Sequence, residues 1–241
     1  MSSPKKRARH EFANGEKAGL YKAIFNRRDV RGPFKPDPLP DKAVAKILNA
    51  AHHAGSVGFM QPWNFILIKD ERVKQQVKAL FDEANLEAAQ VYEEPLRTKY
   101  LSMKLEGILE TPLNICVTCD STRGGPHVLG RQTIPETDIY STCCAIQNLW
   151  LSARAEGIGV GWVSILRNEE LKSILKIPSH IIPVAYLCLG YVRRFLKKPE
   201  LELKGWRKRE SLQKLVHYDQ WGLLPNVQWK SLNRLIEKMK D

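Results

Sequence analysis

Arg27-Arg28-Asp29-Val30-Arg31, followed by Gly32-Pro33, is the stretch around which the chain is organised. Residues 19–26 before it, GLYKAIFN, predict a helix with Leu20, Ile24 and Phe25 on one side. Pro33 ends that helix, because proline biases its predecessor out of the α region. A helix C-terminus therefore delivers three guanidiniums and one carboxylate to one place. Arginine suits a phosphate well, with planar, paired and permanently charged donors. Asp29 is the odd member, since a phosphate site gains nothing from a carboxylate. Two readings stay open from the local pattern. Asp29 is either a salt-bridge partner, the commoner fate of a charge cluster, or a group that handles a proton.

Downstream of this stretch, Asp41 to about His53 predicts a helix, with Val44, Ile47, Leu48 and Ala51 at helical spacing. Ala54-Gly55-Ser56-Val57-Gly58-Phe59-Met60-Gln61-Pro62-Trp63-Asn64 is then a loop that opens into the apolar run Phe65–Ile68, a buried strand. Such a loop either brings backbone N–H groups and Ser56 close to a flat ligand or is an ordinary helix-to-strand connection. Glu71 to Glu94 predicts a long helix. Pro95 interrupts it, and a second helical piece runs to about Glu110, carrying Tyr100 and Lys104. This pair either covers a site as a lid or packs as plain core.

Leu113 to Cys119 predicts a strand. Cys116 and Cys119, three apart, fall on its opposite faces, so their sulfurs cannot converge on a metal and read as small buried hydrophobes. Thr137 to Glu156 is the most hydrophobic helix, apolar around most of its surface, as suits a core or a subunit interface. Gly157-Ile158-Gly159-Val160-Gly161 comes next, but a dinucleotide fingerprint runs strand, glycines, helix, and here a helix precedes and a strand follows. In the strand Val160–Leu166, Trp162 and Ser164 share a face. Pro183–Val192 is a further buried strand. Trp206-Arg207-Lys208-Arg209 is a second basic cluster, and Trp229, Leu232, Leu235, Ile236 and Met239 mark an amphipathic terminal helix.

The 241 residues, 43% hydrophobic, suffice for a sizeable core. No apolar run approaches a membrane span and no signal peptide is expected, so no membrane is assigned. Five cysteines, an odd count, argue against a disulfide framework and for the cytoplasm. The net charge of +12 raises nucleic acid as a partner. Half of that excess sits in residues 1–10, with Lys5, Lys6, Arg7 and Arg9, and in residues 225–241. The first of these reads as a disordered basic tail. A mildly basic body suits an enzyme of phosphorylated small molecules, and nucleic acid is not assigned.

Taken together, the early Arg-Arg-x-x-Arg, Ser56 before Gln61-Pro62-Trp63, and the apolar helix leading into Gly157-x-Gly-x-Gly161-Trp162 resemble the FMN-dependent nitroreductase family. Within it, longer runs resemble the 5,6-dimethylbenzimidazole synthase branch: Arg27 to Arg31, Ser56 to Phe65, Lys104-Leu105-Glu106-Gly107, Ile115 to Asp120, Gly161 to Ile165 and Lys204 to Arg207. The match covers about Tyr21 to Trp221. Ordinary nitroreductases tend to carry serine or threonine where this branch carries aspartate, and Asp29 is that position.

The resemblance implies an α+β fold with a central, mostly antiparallel sheet flanked by helices, in an intertwined homodimer. It divides the chain into a tail (1–18), a nitroreductase-like domain (19–221) and a helical extension (222–241). It implies a flavin-destroying enzyme: reduced FMN is the substrate, O2 fragments it, and 5,6-dimethylbenzimidazole and a four-carbon sugar phosphate leave. NAD(P)H would enter only through a separate flavin reductase. The alternative is an NAD(P)H-dependent FMN nitroreductase or flavin reductase. The implied catalytic residues are Asp29, handling a proton near the ribityl C1′, and Ser164, orienting the reactive part of the flavin. Arg27 would clamp the phosphate with Arg207 of the other subunit. Arg31 and Lys104 would face the pyrimidine edge. Arg28 and Val30 belong to the same binding segment, Gly55, Ser56 and Leu105 line the pocket, and no metal is implied.

Overall fold

The structure is a computed structural model that describes residues 10–239. The basic residues Lys5, Lys6, Arg7 and Arg9 lie outside the described residues. The chain forms two compact units, one up to Lys197 and one from Lys198.

The first unit is built on a four-stranded sheet of β1 (Trp63–Ile68), β2 (Leu113–Asp120), β3 (Ile158–Val163) and β4 (Ile181–Tyr191). The order is β1-β2-β4-β3 and every neighbouring pair is antiparallel. The α+β class and the antiparallel sheet are as the sequence led us to expect. Helices cover both faces, so the strands alternate between two apolar cores rather than between core and water. In β2 and β4, Leu113, Ile115, Val117, Ala185, Leu187 and Leu189 face one core with β3's Ile158 and Val160. Cys116, Tyr186 and Cys188 face the other with Val163.

The first core is closed by α2 (Asp41–His52), through Val44, Ile47 and Ala51, and by α5 (Thr137–Ala155). The second is closed by α3 (Glu71–Ala89), through Val77, Leu80 and Phe81, and by α6 (Asn168–Leu175), through Leu171. The apolar stripe of α3 is therefore core packing, not a lid surface. Asp70 caps α3, accepting from the Arg72 and Val73 N–H groups.

Several boundaries differ from the sequence expectation: α3 ends at Ala89 rather than Glu94, and β1 begins at Trp63 rather than Phe65. The first helix, α1 (Asn14–Asn26), begins before Gly19, with the Glu16 carboxylate accepting from the Ala13 N–H, and it has no buried residue. The helix after Pro95, α4 (Leu96–Leu101), stops well short of Glu110, and residues 102–112 are irregular. The glycines 159 and 161 lie inside β3, which ends at Val163 rather than Leu166.

The second unit contains α7 (Glu200–Leu203) and the amphipathic α8 (Lys230–Lys238). Tyr218 and Ile236 are its buried apolar side chains; the Tyr218 hydroxyl donates to Asn233 Oδ1 at 3.1 Å, and the Tyr218 ring lies 5.7 Å from that of Trp229. Among the described residues no helix is long and apolar enough to cross a membrane.

Candidate active site

The site starts where α1 ends. Arg27 is the first residue past the helix, and its backbone turns extended. The segment that follows runs along β3, the edge strand, and adds to it as a parallel bridge between Asp29 and Val160. The Val30 N–H donates to the Val160 carbonyl at 3.0 Å, and the Val30 side chain is buried. The next outward-facing N–H of β3, that of Trp162, donates to Asp29 Oδ1 at 3.0 Å. The side chain of Asp29 thus supplies the acceptor that a continuing strand would have given.

Two glycines make this approach possible. A Cβ on Gly161 would lie 2.1 Å from the Val30 carbonyl oxygen, and one on Gly159 would lie 3.3 Å from Val30 Cγ2 and 2.7 Å from Val192 Cγ1. Neither has a positive φ, so the requirement is space and not conformational freedom. The Gly-x-Gly-x-Gly pattern is therefore not a phosphate cradle. Its Gly159 and Gly161 form the smooth strip on which the arginine segment lies.

The three arginines have different surroundings. The Arg27 guanidinium stacks over the Trp150 ring at 4.4 Å. Arg28 points inward to backbone: it donates to the carbonyls of Phe25 (2.8 Å), Arg27 (2.6 Å), Leu196 (3.1 Å) and Lys197. That makes Arg28 a staple for the segment rather than a free anion ligand. Arg31 Nη2 donates to Asp29 Oδ2 at 2.7 Å. Both carboxylate oxygens of Asp29 are thus engaged, and the side chain is still 30% exposed. The salt bridge read as one alternative from sequence does form, and it aims the carboxylate without hiding it.

α5 holds this segment from behind. Trp150 Nε1 donates to the Arg28 carbonyl at 3.2 Å, and Arg154 Nε to that of Asn26 at 3.0 Å. Trp162 lies 6.2 Å from Trp150, extending the aromatic wall. Ser164 is exposed, one residue past β3 and two after Trp162, so about 7 Å along the chain from the N–H that holds Asp29.

Lys104 arrives from the irregular stretch after α4. Its stem crosses Gly32, where a Cβ would meet Lys104 Cε at 3.3 Å, and its ammonium is paired with Glu110. Gly32, Pro33, Phe34, Lys104 and Glu110 line a cleft of about 490 Å³. Leu105 packs against the second core. A buried polar network fixes the turn behind them. Glu106 Oε2 accepts from the Ile108 N–H at 2.6 Å, the single Thr111 hydroxyl proton is shared between Asn114 Oδ1 at 2.6 Å and the Gly107 carbonyl at 2.9 Å, and Asn114 Nδ2 donates to the Ile108 carbonyl and the Tyr186 hydroxyl, both at 3.0 Å. Phe34 wedges against Gly107 and Gly190, tying this turn to the arginine segment.

Gly55 and Ser56 lie elsewhere. Ser56 Oγ accepts from the Gln61 N–H at 3.2 Å, the Val57 N–H donates to Ser141 Oγ at 3.2 Å, and Gly55 faces open space. Ser141 and Trp150 are nine residues apart on α5, about 13 Å along the helix and on opposite sides of it. Within one chain the structure therefore brings together Arg27, Asp29, Arg31, Lys104 and the Ser164 strand end, and leaves Gly55 and Ser56 on the other side of α5. Arg207 is an exposed residue of the second unit. A larger cleft of about 740 Å³, with His52, Trp63 and Arg123 among its lining residues, includes none of the expected site residues. Arg123 there is held by the carbonyls of Gln61 and Trp63 and by Asn64.

Sequence reasoning missed Glu110, the Glu106–Thr111–Asn114–Tyr186 network and the purpose of Gly159 and Gly161. The network left a signal in Asn114, an amide near the start of a mostly apolar strand.

A profile of the nitroreductase family matches residues 24–191. The chain belongs to the nitroreductase family. Among its relatives, 5,6-dimethylbenzimidazole synthase of Rhodospirillum rubrum is 42% identical over 78% of this chain and 89% of its own length. 5,6-Dimethylbenzimidazole synthase of Rhodobacter capsulatus is 33% identical over 82% of this chain and 95% of its own. Among solved structures, a BluB-like flavoprotein from Clostridium difficile shares the fold, with a TM-score of 0.62 at 20% identity, covering 83% of this chain and 99% of that one.

Proposed function

We propose that this protein is a 5,6-dimethylbenzimidazole synthase that takes reduced FMN as its substrate. With O2 the isoalloxazine is fragmented: the ribityl C1′ becomes the carbon between the two benzimidazole nitrogens, the other ribityl carbons leave as a four-carbon sugar phosphate, and the pyrimidine portion leaves as a separate fragment. The observation that carries the reading is Asp29: a carboxylate aimed by two hydrogen bonds yet still open, set among arginines. The likeness to the Rhodospirillum rubrum synthase supports it.

The donor set fits the ligand. Arg27 offers a guanidinium for the phosphate, backed by Trp150. Arg31 and Lys104, on either side of Gly32, suit the negative pyrimidine edge of a reduced flavin. When bound, reduced FMN supplies the electrons that O2 accepts. The protein's part is to hold the ring, exclude water and move a proton. Asp29 takes a proton near the ribityl C1′, with the Trp162 N–H and Arg31 fixing its direction. Ser164 orients the reactive part of the flavin.

The separation of Gly55 and Ser56 from the arginine segment is accounted for if the protein is a homodimer whose partner supplies them, and Arg207, to the same pocket. Residues 19–221 would be the catalytic domain and 222–241 an extension. Reduced FMN would come from a separate flavin reductase in the cytoplasm.

The test is a product assay. Purified protein is incubated aerobically with FMN, NADH and an unrelated flavin reductase, and 5,6-dimethylbenzimidazole is sought by mass spectrometry. We expect product with the protein and none without it, and none from Asp29→Ser although that variant still binds FMN. Intact FMN with NADH oxidised by the protein alone would instead make it an NAD(P)H-dependent flavin or nitro reductase. Wild-type yield from Asp29→Ser would remove Asp29 from the chemistry.

A further inference from the structure

Two ion pairs flank Gly32. On one side Arg31 holds Asp29; on the other the Lys104 ammonium is paired with Glu110. The proposed chemistry employs Asp29, Arg31 and Lys104. Glu110 has no part in it, although it lines the same cleft as Gly32 and Lys104.

Glu110 stands on a fixed platform. The turn before it is tied by Glu106 to the Ile108 N–H, by Thr111 to the Gly107 carbonyl and by Asn114 to the Ile108 carbonyl, with the Ile108 side chain fully buried. Lys104 is an exposed side chain on irregular backbone between Met103 and Leu105, and has a flexible four-carbon stem. When the pair opens, the ammonium is the part that moves. Both side chains are 43% exposed, so a ligand reaches the pair without unfolding its surroundings.

An anion that enters the cleft must take Lys104 from Glu110 and then lie beside a carboxylate that stays where it was. A neutral ring meets far less of this opposition. Reduced flavin carries its negative charge at the pyrimidine edge; oxidised flavin is neutral there. We propose that Glu110 is a specificity-determining residue that competes for Lys104 and thereby sets the affinity for reduced relative to oxidised FMN. This rests on the reading that FMN occupies the cleft with its pyrimidine edge at Lys104.

The test uses the full-length protein and four variants: Glu110→Gln, Glu110→Asp, Lys104→Met and the double variant Glu110→Gln/Lys104→Met. Each is titrated with oxidised FMN, and anaerobically with dithionite-reduced FMN. Glu110→Gln should bind reduced FMN about threefold more tightly, as suits release of a half-exposed ion pair. Oxidised FMN should change less. The bound flavin's midpoint potential should then rise, by up to about 14 mV, at about 30 mV per tenfold for a two-electron couple. Glu110→Asp, which keeps the charge, should stay near wild type, and the gain should vanish in the double variant. If Lys104→Met weakens reduced-FMN binding but Glu110→Gln does not tighten it, the inference is overturned and the role of Lys104 stands. An equal change for both redox forms, or a gain that persists without Lys104, also overturns it. If Lys104→Met binds like wild type, the placement of the flavin edge fails and the inference goes with it.

Discussion

Gly161→Ala attacks the site without touching the core. The added Cβ would sit 2.1 Å from the Val30 carbonyl oxygen, against an ordinary contact distance of 3.4 Å or more. Since the obstacle is backbone, the 28–31 segment must retreat by about 1.3 Å, because so deep an overlap cannot be absorbed by softer contacts. That retreat breaks the Val30 N–H to Val160 bond and the Trp162 N–H to Asp29 bond, each 3.0 Å. At about 1 kcal/mol for the first and about 1.5–3 for the second, which reaches a carboxylate, the loss is about 2.5–4 kcal/mol at most. Water can reach this edge, so the true loss is smaller. The β3–β4 ladder and both cores are untouched, so the variant folds. For a unit of this size the melting temperature should fall, by no more than about 5–15 °C. Activity should suffer far more, because about 1 Å of misplacement at a reacting group costs on the order of a hundredfold. Thermal melting and 5,6-dimethylbenzimidazole yield from supplied reduced FMN measure the two effects. Wild-type yield with an unshifted melting temperature would refute the claim that the arginine segment depends on its seat against Gly161.

Gly55→Ala is the complementary case. Nothing lies within 4 Å of a Cβ there and its φ is ordinary, so melting of the chain should not change, and a loss of FMN affinity would report a contact supplied by ligand or partner subunit. Asn114→Leu should cost about 2–4 kcal/mol, since it strands the buried Tyr186 hydroxyl and the Ile108 carbonyl together while Thr111 keeps the Gly107 carbonyl; chemical denaturation measures it, and a loss under about 1 kcal/mol would mean the network is dispensable. Burial pushes the Cys116 thiol up to about 12 and raises that of Cys188 as well. Both should resist a thiol reagent at pH 8 until the protein is unfolded, as peptide mapping after labelling would show.

Much of the fold was legible because its signals are local. Period-two alternation placed Cys116 and Cys119 on opposite faces of one strand, and both are buried free thiols in β2. The apolar girth of residues 137–155 marked a helix covered on several sides, and α5 meets the sheet, α2 and the arginine segment on three of them. The stretch after Pro95 misled because Tyr100, Met103 and Lys104 keep helical spacing while the chain does not stay helical. Met103 and Tyr100 are buried, but Thr111 and Asn114 take the backbone carbonyls of the turn that follows into a side-chain network, in place of helical N–H groups.

The sequence by itself determined which charged and polar residues the proposed function draws on: an aspartate inside an arginine cluster, a lysine after the second helix, a serine after a glycine-rich strand. It left Asp29 with two readings, since a salt bridge and an acid-base role ask for the same residue. Only the tertiary structure decided how Asp29 is held, by an N–H that comes from Trp162, 133 positions away, and why Gly159 and Gly161 are glycines. The physical reason is range. Periodicity and capping act over one or two turns of chain and are written in neighbouring residues. A close approach is a property of two distant backbones at once, and neither segment alone records that the other will lie against it.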